Sequence, residues 1–214
     1  MGLPAIDSYA MPDRSALPRS SAPWRIDPER AALLVHDMQN HFVGRFPAQQ
    51  PPVVDLVGNI VALRELAGAL GLPVVLSAEP TVRRGLAADV RWPETGDGPG
   101  DTAIIEPLTP RPGEHLLPNA RQNAFLRSHL GRLLREEGRD QLIICGVYAH
   151  LGVLLTAADA FMNDIQPFVV ADAVADCSAE EHEMALRWAA RSGVVCTTDD
   201  LLRGLLLGRN RRDA

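Results

Sequence analysis

The chain has 214 residues, 46% hydrophobic and 22% charged, with a formal net charge of −6. Length and balance fit one globular domain and exclude a disordered chain, and the acidic surplus argues against a nucleic-acid partner. No apolar run reaches ~18 residues and the N-terminus lacks a secretory pattern, so neither a membrane span nor a signal peptide is expected.

Residues 1–30 are punctuated by five prolines and show no sustained periodicity. Ile6, Tyr9, Leu17 and Trp24 offer apolar anchors, so this segment is read as an extended arm lying over a domain that spans 31–208. Ala31–His36 is apolar on both faces, as a buried parallel strand requires. Val54, Val57, Ile60, Val61, Leu63 and Leu66 fall at near-helical spacing, predicting a helix over 53–70 that Gly71 stops. A second strand is predicted over 73–78, followed by a polar loop over 79–101 whose length marks it as functional. Ala103–Ile105 and His115–Leu117 are short strand candidates. A helix is predicted over 124–137, with Gly138 as its stop.

Gln141–Gly146 is the strongest strand signal, with a helix over 149–163 and a strand over 168–171 after it. Ser178-Ala-Glu-Glu181 is a capping box opening a helix to about residue 191. Val194–Thr197 is the last strand, and a short helix and an Arg-rich tail close the chain. Strands alternate with helices, which predicts a three-layer α/β/α fold around a mostly parallel sheet.

All 21 basic residues are arginine, which excludes Schiff-base chemistry and any lysine acid or base. Cys145, Cys177 and Cys196 are far apart and in no metal-like spacing, which fits a reducing, cytoplasmic setting. Ligands of an open parallel sheet bind beyond the carboxyl ends of its strands. Those ends carry Asp37 and Gln39; Glu79; Asn119, Arg121 and Gln122; Tyr148, His150 and Gly152; and Asp172 and Asp176. One acidic residue at a strand end is commonly a helix cap, but several converging on one rim point to a site.

Val35-His-Asp-Met-Gln39, Gly146-Val-Tyr-Ala-His-Leu-Gly152, Thr156, Asp159-Ala-Phe161, Asp164-Ile165, Pro167-Phe168, Val170-Ala-Asp-Ala173 and Asp176 together resemble the isochorismatase-like hydrolase family. The resemblance is nearest to the branch that cleaves vinyl ethers, the isochorismatases and the aminodeoxyisochorismate hydrolases of phenazine pathways. The wider family uses an Asp–Lys–Cys triad. Here Asp37 falls on the Asp position and Gly152 on the Cys position, an absence the vinyl-ether branch shares. Cys145 lies inside a strand and reads as a small buried hydrophobe. The resemblance implies no metal and no cofactor, a homodimer, and a small-molecule carboxylate substrate. It also implies that Gln39, Phe42, Tyr148 and His150 line the substrate site. No phosphopantetheine-serine motif is present, so no carrier domain is expected in cis.

Two departures from that branch bear on the chemistry. The position of the family lysine is Asn119, two residues before Arg121, and the glutamine that typically follows the second strand is Glu79. Arg84, followed by Gly85, matches a further arginine after a shortened loop. Hydrolysing an enolpyruvyl ether needs a proton on the enol carbon, stabilisation of the resulting oxocarbenium ion, and water, but no protein nucleophile. Asp37 is the acid that the motif supplies. A carboxyl acting as an acid near neutral pH must be held protonated, by burial or a neighbouring negative charge. Neutral Asn119 and nearby Glu79 both favour that state. Arg84 and Arg121 are the candidates for bidentate carboxylate recognition, and Glu79 is suited to an amino group on the substrate.

Overall fold

The computed structural model of the protein describes residues 5–79, 102–118 and 122–210. Six parallel strands form one sheet: β1 (Ala31–His36), β2 (Val74–Ala78), β3 (His115–Pro118), β4 (Gln141–Val147), β5 (Gln166–Ala175) and β6 (Val194–Cys196). Their spatial order is β3-β2-β1-β4-β5-β6. All six residues of β1 are buried. Alternate side chains feed opposite faces, so Leu33 and Val35 enter one core while Ala32 and Leu34 enter the other.

The helices are α1 (Asn40–Val43), α2 (Val53–Leu70), α3 (Leu130–Glu136), α4 (Leu154–Met162), α5 (Ala179–Ser192) and α6 (Thr198–Asn210). Leu56, Ile60 and Leu63 of α2 join Leu201 and Leu205 of α6 in the first core. Leu130, Leu133 and Leu134 of α3 join Ala157 and Ala160 of α4 and Ala185, Leu186 and Ala189 of α5 in the second. The α/β/α layering expected from the alternation of elements is the one observed. β1 lies between β2 and β4, so the chain order reverses there, and Asp37 and Tyr148 directly follow the carboxyl ends of the two strands at that reversal.

Local signals hold where one side chain decides the geometry. Gly71 ends α2 with φ +70°, and the Ser178 hydroxyl accepts from Glu181 N at 3.2 Å at the start of α5. Ile6 is buried, its N–H donating to Arg45 O at 3.0 Å, and the Ser20 hydroxyl accepts from Val195 N at 2.9 Å.

Several boundaries differ from expectation. Only Leu130–Glu136 of the predicted 124–137 helix is helical. The preceding residues make turns: Asn123 Oδ1 accepts from Phe125 N at 2.9 Å, Arg127 has φ +57°, and Ser128 Oγ donates to Ala124 O and accepts from Leu130 N. Short polar side chains here compete with the helical backbone bonds. Ala103–Ile105 is no strand; Ile104 makes a single antiparallel bridge to Gln39. The helix predicted over 149–163 opens with a π-helical turn over Ala149–Val153 before α4. β5 runs through Asp172 to Ala175 because the Asp172 carboxylate is satisfied by the N–H and hydroxyl of Thr198, at 2.7 and 2.8 Å. The same contact opens α6, which is longer than the short helix expected. Most of the 79–101 loop lies outside the described residues.

His182 supplies a pH test of this packing. Its Nε2 donates to Ala171 O at 3.0 Å, its Nδ1 faces the Tyr9 hydroxyl at 3.2 Å, and burial holds the ring below its ordinary pKa. Below ~6.5 the unfolded chain protonates this histidine while the folded one resists, so stability falls as pH drops through that window. Urea midpoints at mildly alkaline and mildly acid pH should therefore differ more for the wild type than for His182→Gln. Equal differences would contradict this assignment.

Candidate active site

Asp37 follows the last residue of β1 and sits in the left-handed region, with φ +47°. Few non-glycine residues adopt this conformation, aspartate among the more tolerant, and such residues gather at functional sites. The residue is 7% exposed. Ser77, on the neighbouring strand β2, donates its hydroxyl to Asp37 Oδ1 at 2.6 Å and accepts from Asp37 N at 3.1 Å. One hydroxyl thus fixes both the backbone and one carboxyl oxygen. Asp37 Oδ2 lies 3.3 Å from His36 Nδ1.

Close approach of β1 and β4 shapes the floor of the site. Gly146 pairs with His36, has φ +112°, and an added Cβ would lie 2.1 Å from His36 O. The next peptide bond but one, Val147–Tyr148, is cis. At Gly152 an added Cβ would lie 2.4 Å from His36 Cε1. The space a side chain at position 152 would take is therefore filled from the other side by an imidazole.

The remaining expected residues fall into four groups. Gln39 is fully buried and its amide is engaged by backbone: Oε1 accepts from Glu79 N at 2.7 Å, and Nε2 donates to Glu79 O at 3.0 Å and Thr102 O at 2.6 Å. Gln39 braces Glu79 beside the end of β1, two residues beyond Ser77. Phe42 and Tyr148 meet edge to face with ring centroids 5.8 Å apart. The Tyr148 hydroxyl donates to Phe42 O at 3.0 Å and accepts from Arg45 at 3.2 Å, and burial holds its pKa well above the usual phenol value. The pair forms an apolar wall whose polar end is occupied. Asn119, Arg121 and Arg84 lie outside the described residues.

His150 turns to Asp176. Its Nδ1 lies 2.6 Å from Asp176 Oδ1 and 3.0 Å from Glu181 Oε2, and its N–H donates to Asp176 Oδ2 at 2.6 Å. This trio is the one group of potential metal ligands found among the described residues. The 2.6 Å between His150 Nδ1 and Asp176 Oδ1 is a short hydrogen-bond distance. Asp172 and Asp176, both on the rim in sequence, act here as caps of α6 and of the π turn.

Residue-by-residue reading of strand ends did not single out Ser77 or His36. Each is the one polar residue of an otherwise apolar strand and is itself buried, and that contrast is the signal available in sequence.

The sequence profile of the isochorismatase domain matches residues 31–200. The chain belongs to the isochorismatase family. The phenazine biosynthesis protein PhzD of Pseudomonas fluorescens is 47% identical over 206 residues, covering 94% of this chain and 99% of that protein. The isochorismatase of Bacillus subtilis is 46% identical over 207 residues, covering 94% of this chain and 66% of that protein. Among solved structures, an isochorismatase family protein from Burkholderia thailandensis superposes with a TM-score of 0.74 at 26% identity, covering 85% of this chain and 98% of that chain. This chain is an isochorismatase-like hydrolase, and no described helix is long and apolar enough to cross a membrane.

Cys145 is wholly buried in β4, donates to Leu34 O at 3.4 Å, and burial pushes its pKa far above the ordinary thiol range. Cys196 is pushed up to about 12 by burial. A protonated thiol is a poor nucleophile, and Cys145 is also enclosed, whereas Cys177 and Cys196 are partly exposed. Treatment with an alkylating reagent should leave most activity intact. Stoichiometric inactivation traced to Cys145, with substrate protecting, would contradict this.

Proposed function

We propose that this hydrolase cleaves the enolpyruvyl ether of isochorismate or 2-amino-2-deoxyisochorismate, releasing pyruvate, with Asp37 as general acid and no covalent intermediate. The observation that carries the reading is the pairing of a positioned, buried Asp37 with a Gly152 that has no room for a nucleophile. The names of the relatives support the substrate class.

The chemistry follows from the groups at hand. Asp37 protonates the methylene carbon of the enol ether, leaving a carboxylate beside the oxocarbenium ion. Water adds to the oxocarbenium carbon, the one that bears the ether oxygen, and the hemiketal opens to pyruvate and a dihydrodiol-type acid. Arg84 and Arg121 are the proposed partners of the substrate carboxylates. Asn119 removes one cation from that task and Glu79 adds a carboxyl, which favours a substrate bearing an amino group. The loss of lysine at Asn119 also motivates a second reading, in which the family site is redirected to another chorismate-derived small acid or retained for binding alone.

The test is a comparison of two substrates in two proteins. Glu79→Gln should lower kcat/KM for the amino substrate more than for its hydroxyl counterpart, by roughly one to two powers of ten, the worth of a charge-assisted hydrogen bond. An equal change for both would remove amino recognition by Glu79. Absence of pyruvate from either substrate with the wild type would favour the second reading.

A further inference from the structure

We propose that His36 is a positioning residue for the acid: it shares one proton with Asp37 Oδ2, and position 152 is glycine because the imidazole must sit there. The inference deepens the vinyl-ether reading and rests on it for the reaction, though not for the proton arrangement.

The hydrogen-bond arithmetic is restrictive. His36 is fully buried on β1. Its Nε2 lies 2.9 Å from Gln122 O, and a backbone carbonyl only accepts, so Nε2 carries a proton. Its Nδ1 lies 3.2 Å from Val147 O and 3.3 Å from Asp37 Oδ2. The Ser77 hydroxyl has a single hydrogen. Because it accepts from Asp37 N, that hydrogen goes to Oδ1. Oδ1 is thus an acceptor, and Oδ2 is the oxygen that faces Nδ1. On Nδ1 the shared proton gives an ion pair that also satisfies Val147 O; on Oδ2 it gives the neutral acid the reaction uses.

The ring has no freedom to leave this arrangement. Both nitrogens are engaged, and its flank rests on Gly152, where an added Cβ would lie 2.4 Å from Cε1 and 2.9 Å from Nδ1. The groups around the ring are Asp37 on its own strand, the Val147 carbonyl of β4, the Gln122 carbonyl and Gly152 of the π turn. In the reaction the Oδ2–H bond breaks as the methyl C–H bond forms. The carboxylate left behind faces Nδ1. The proton shed by the water that adds to the oxocarbenium carbon returns to the Asp37–His36 pair and passes to the ether oxygen as the hemiketal opens, while the hemiketal's own hydroxyl proton goes back to the pair as that oxygen becomes the pyruvate carbonyl. One water is consumed and the pair ends as it began.

The experiment measures pyruvate release across pH for the wild type, His36→Leu, His36→Asn, Gly152→Ala and the double variant His36→Asn with Gly152→Ala. His36→Leu should lower kcat at least roughly tenfold with little change in KM and should move the pH profile, as loss of the acid's partner requires. His36→Asn, which keeps an N–H on that side, should recover part of the loss. Gly152→Ala alone should resemble His36→Leu, but should cost far less in the His36→Asn background, where the smaller amide leaves space. An unaltered kcat in His36→Leu, or an alanine penalty equal in both backgrounds, would overturn the proposal. Nitrogen-15 imidazole spectra of the wild type, with His36→Asn assigning the signal, test it without turnover. Nε2 should be protonated; a bare Nε2 overturns the arrangement. If the wild type releases no pyruvate, the vinyl-ether reading fails, and the spectra alone decide the pairing.

Discussion

Asp37→Asn should fold as the wild type does and lose at least ~10²-fold in kcat, the lower end of what a positioned general acid contributes. The amide has the shape of the carboxyl, and its oxygen can still accept from the Ser77 hydroxyl, which holds Asp37 Oδ1 at 2.6 Å. The left-handed backbone at this position, φ +47°, is also one that asparagine tolerates. What the substitution removes is the ionisable proton. Turnover by Asp37→Asn equal to the wild type would remove the mechanism, whereas a loss accompanied by an unchanged thermal midpoint isolates the chemistry from folding.

Gly146→Ala should give the largest loss of stability of any single methyl addition among the described glycines. The new Cβ would lie 2.1 Å from His36 O and 2.9 Å from His36 C, both backbone atoms of a buried central strand that cannot step aside. The position also has φ +112°, outside the range of L side chains. Overpacking and backbone strain each cost about 1–3 kcal/mol, so about 3 kcal/mol or more is expected together. For a domain of this size that corresponds to a fall in Tm of roughly 6–12 °C. Gly68→Ala is the control: it lies in α2 with nothing near the added Cβ, and should be neutral or stabilising by up to ~1 kcal/mol. A Gly146→Ala midpoint within the scatter of Gly68→Ala would contradict the close approach of β1 and β4.

The layered fold was legible because buried parallel strands leave a strong mark. β1 and the helix over Val53–Leu70 have the boundaries that apolar patterning and Gly71 predict. Patterning was misleading over 124–129, where Leu126 and Phe125 continue a helical stripe but Asn123 and Ser128 bind the backbone in turns. Pattern also ended β5 too early, because a charged residue such as Asp172 is tolerated in a strand when a partner distant in sequence, Thr198, satisfies it. At the site, Asp37 and Gly152 stood out by resemblance. The roles of Ser77 and His36 depend on contacts between neighbouring strands, which no local pattern encodes. Gln39 shows the converse: the motif marks it, yet its amide is bound to the backbone of Glu79 and Thr102.

Hydrolysis in oxygen-18 water tests the central claim most directly, because it reports which carbon–oxygen bond breaks. If Asp37 protonates the enol carbon and water adds to the oxocarbenium ion, the ether oxygen stays with the ring product. Mass spectrometry of the dihydrodiol-type acid, made from isochorismate or its 2-amino counterpart, should then show no label, the heavy oxygen entering only the pyruvate. Label in the hydroxyl of the ring product would mean attack at the ring carbon, and would contradict the mechanism assigned to this site.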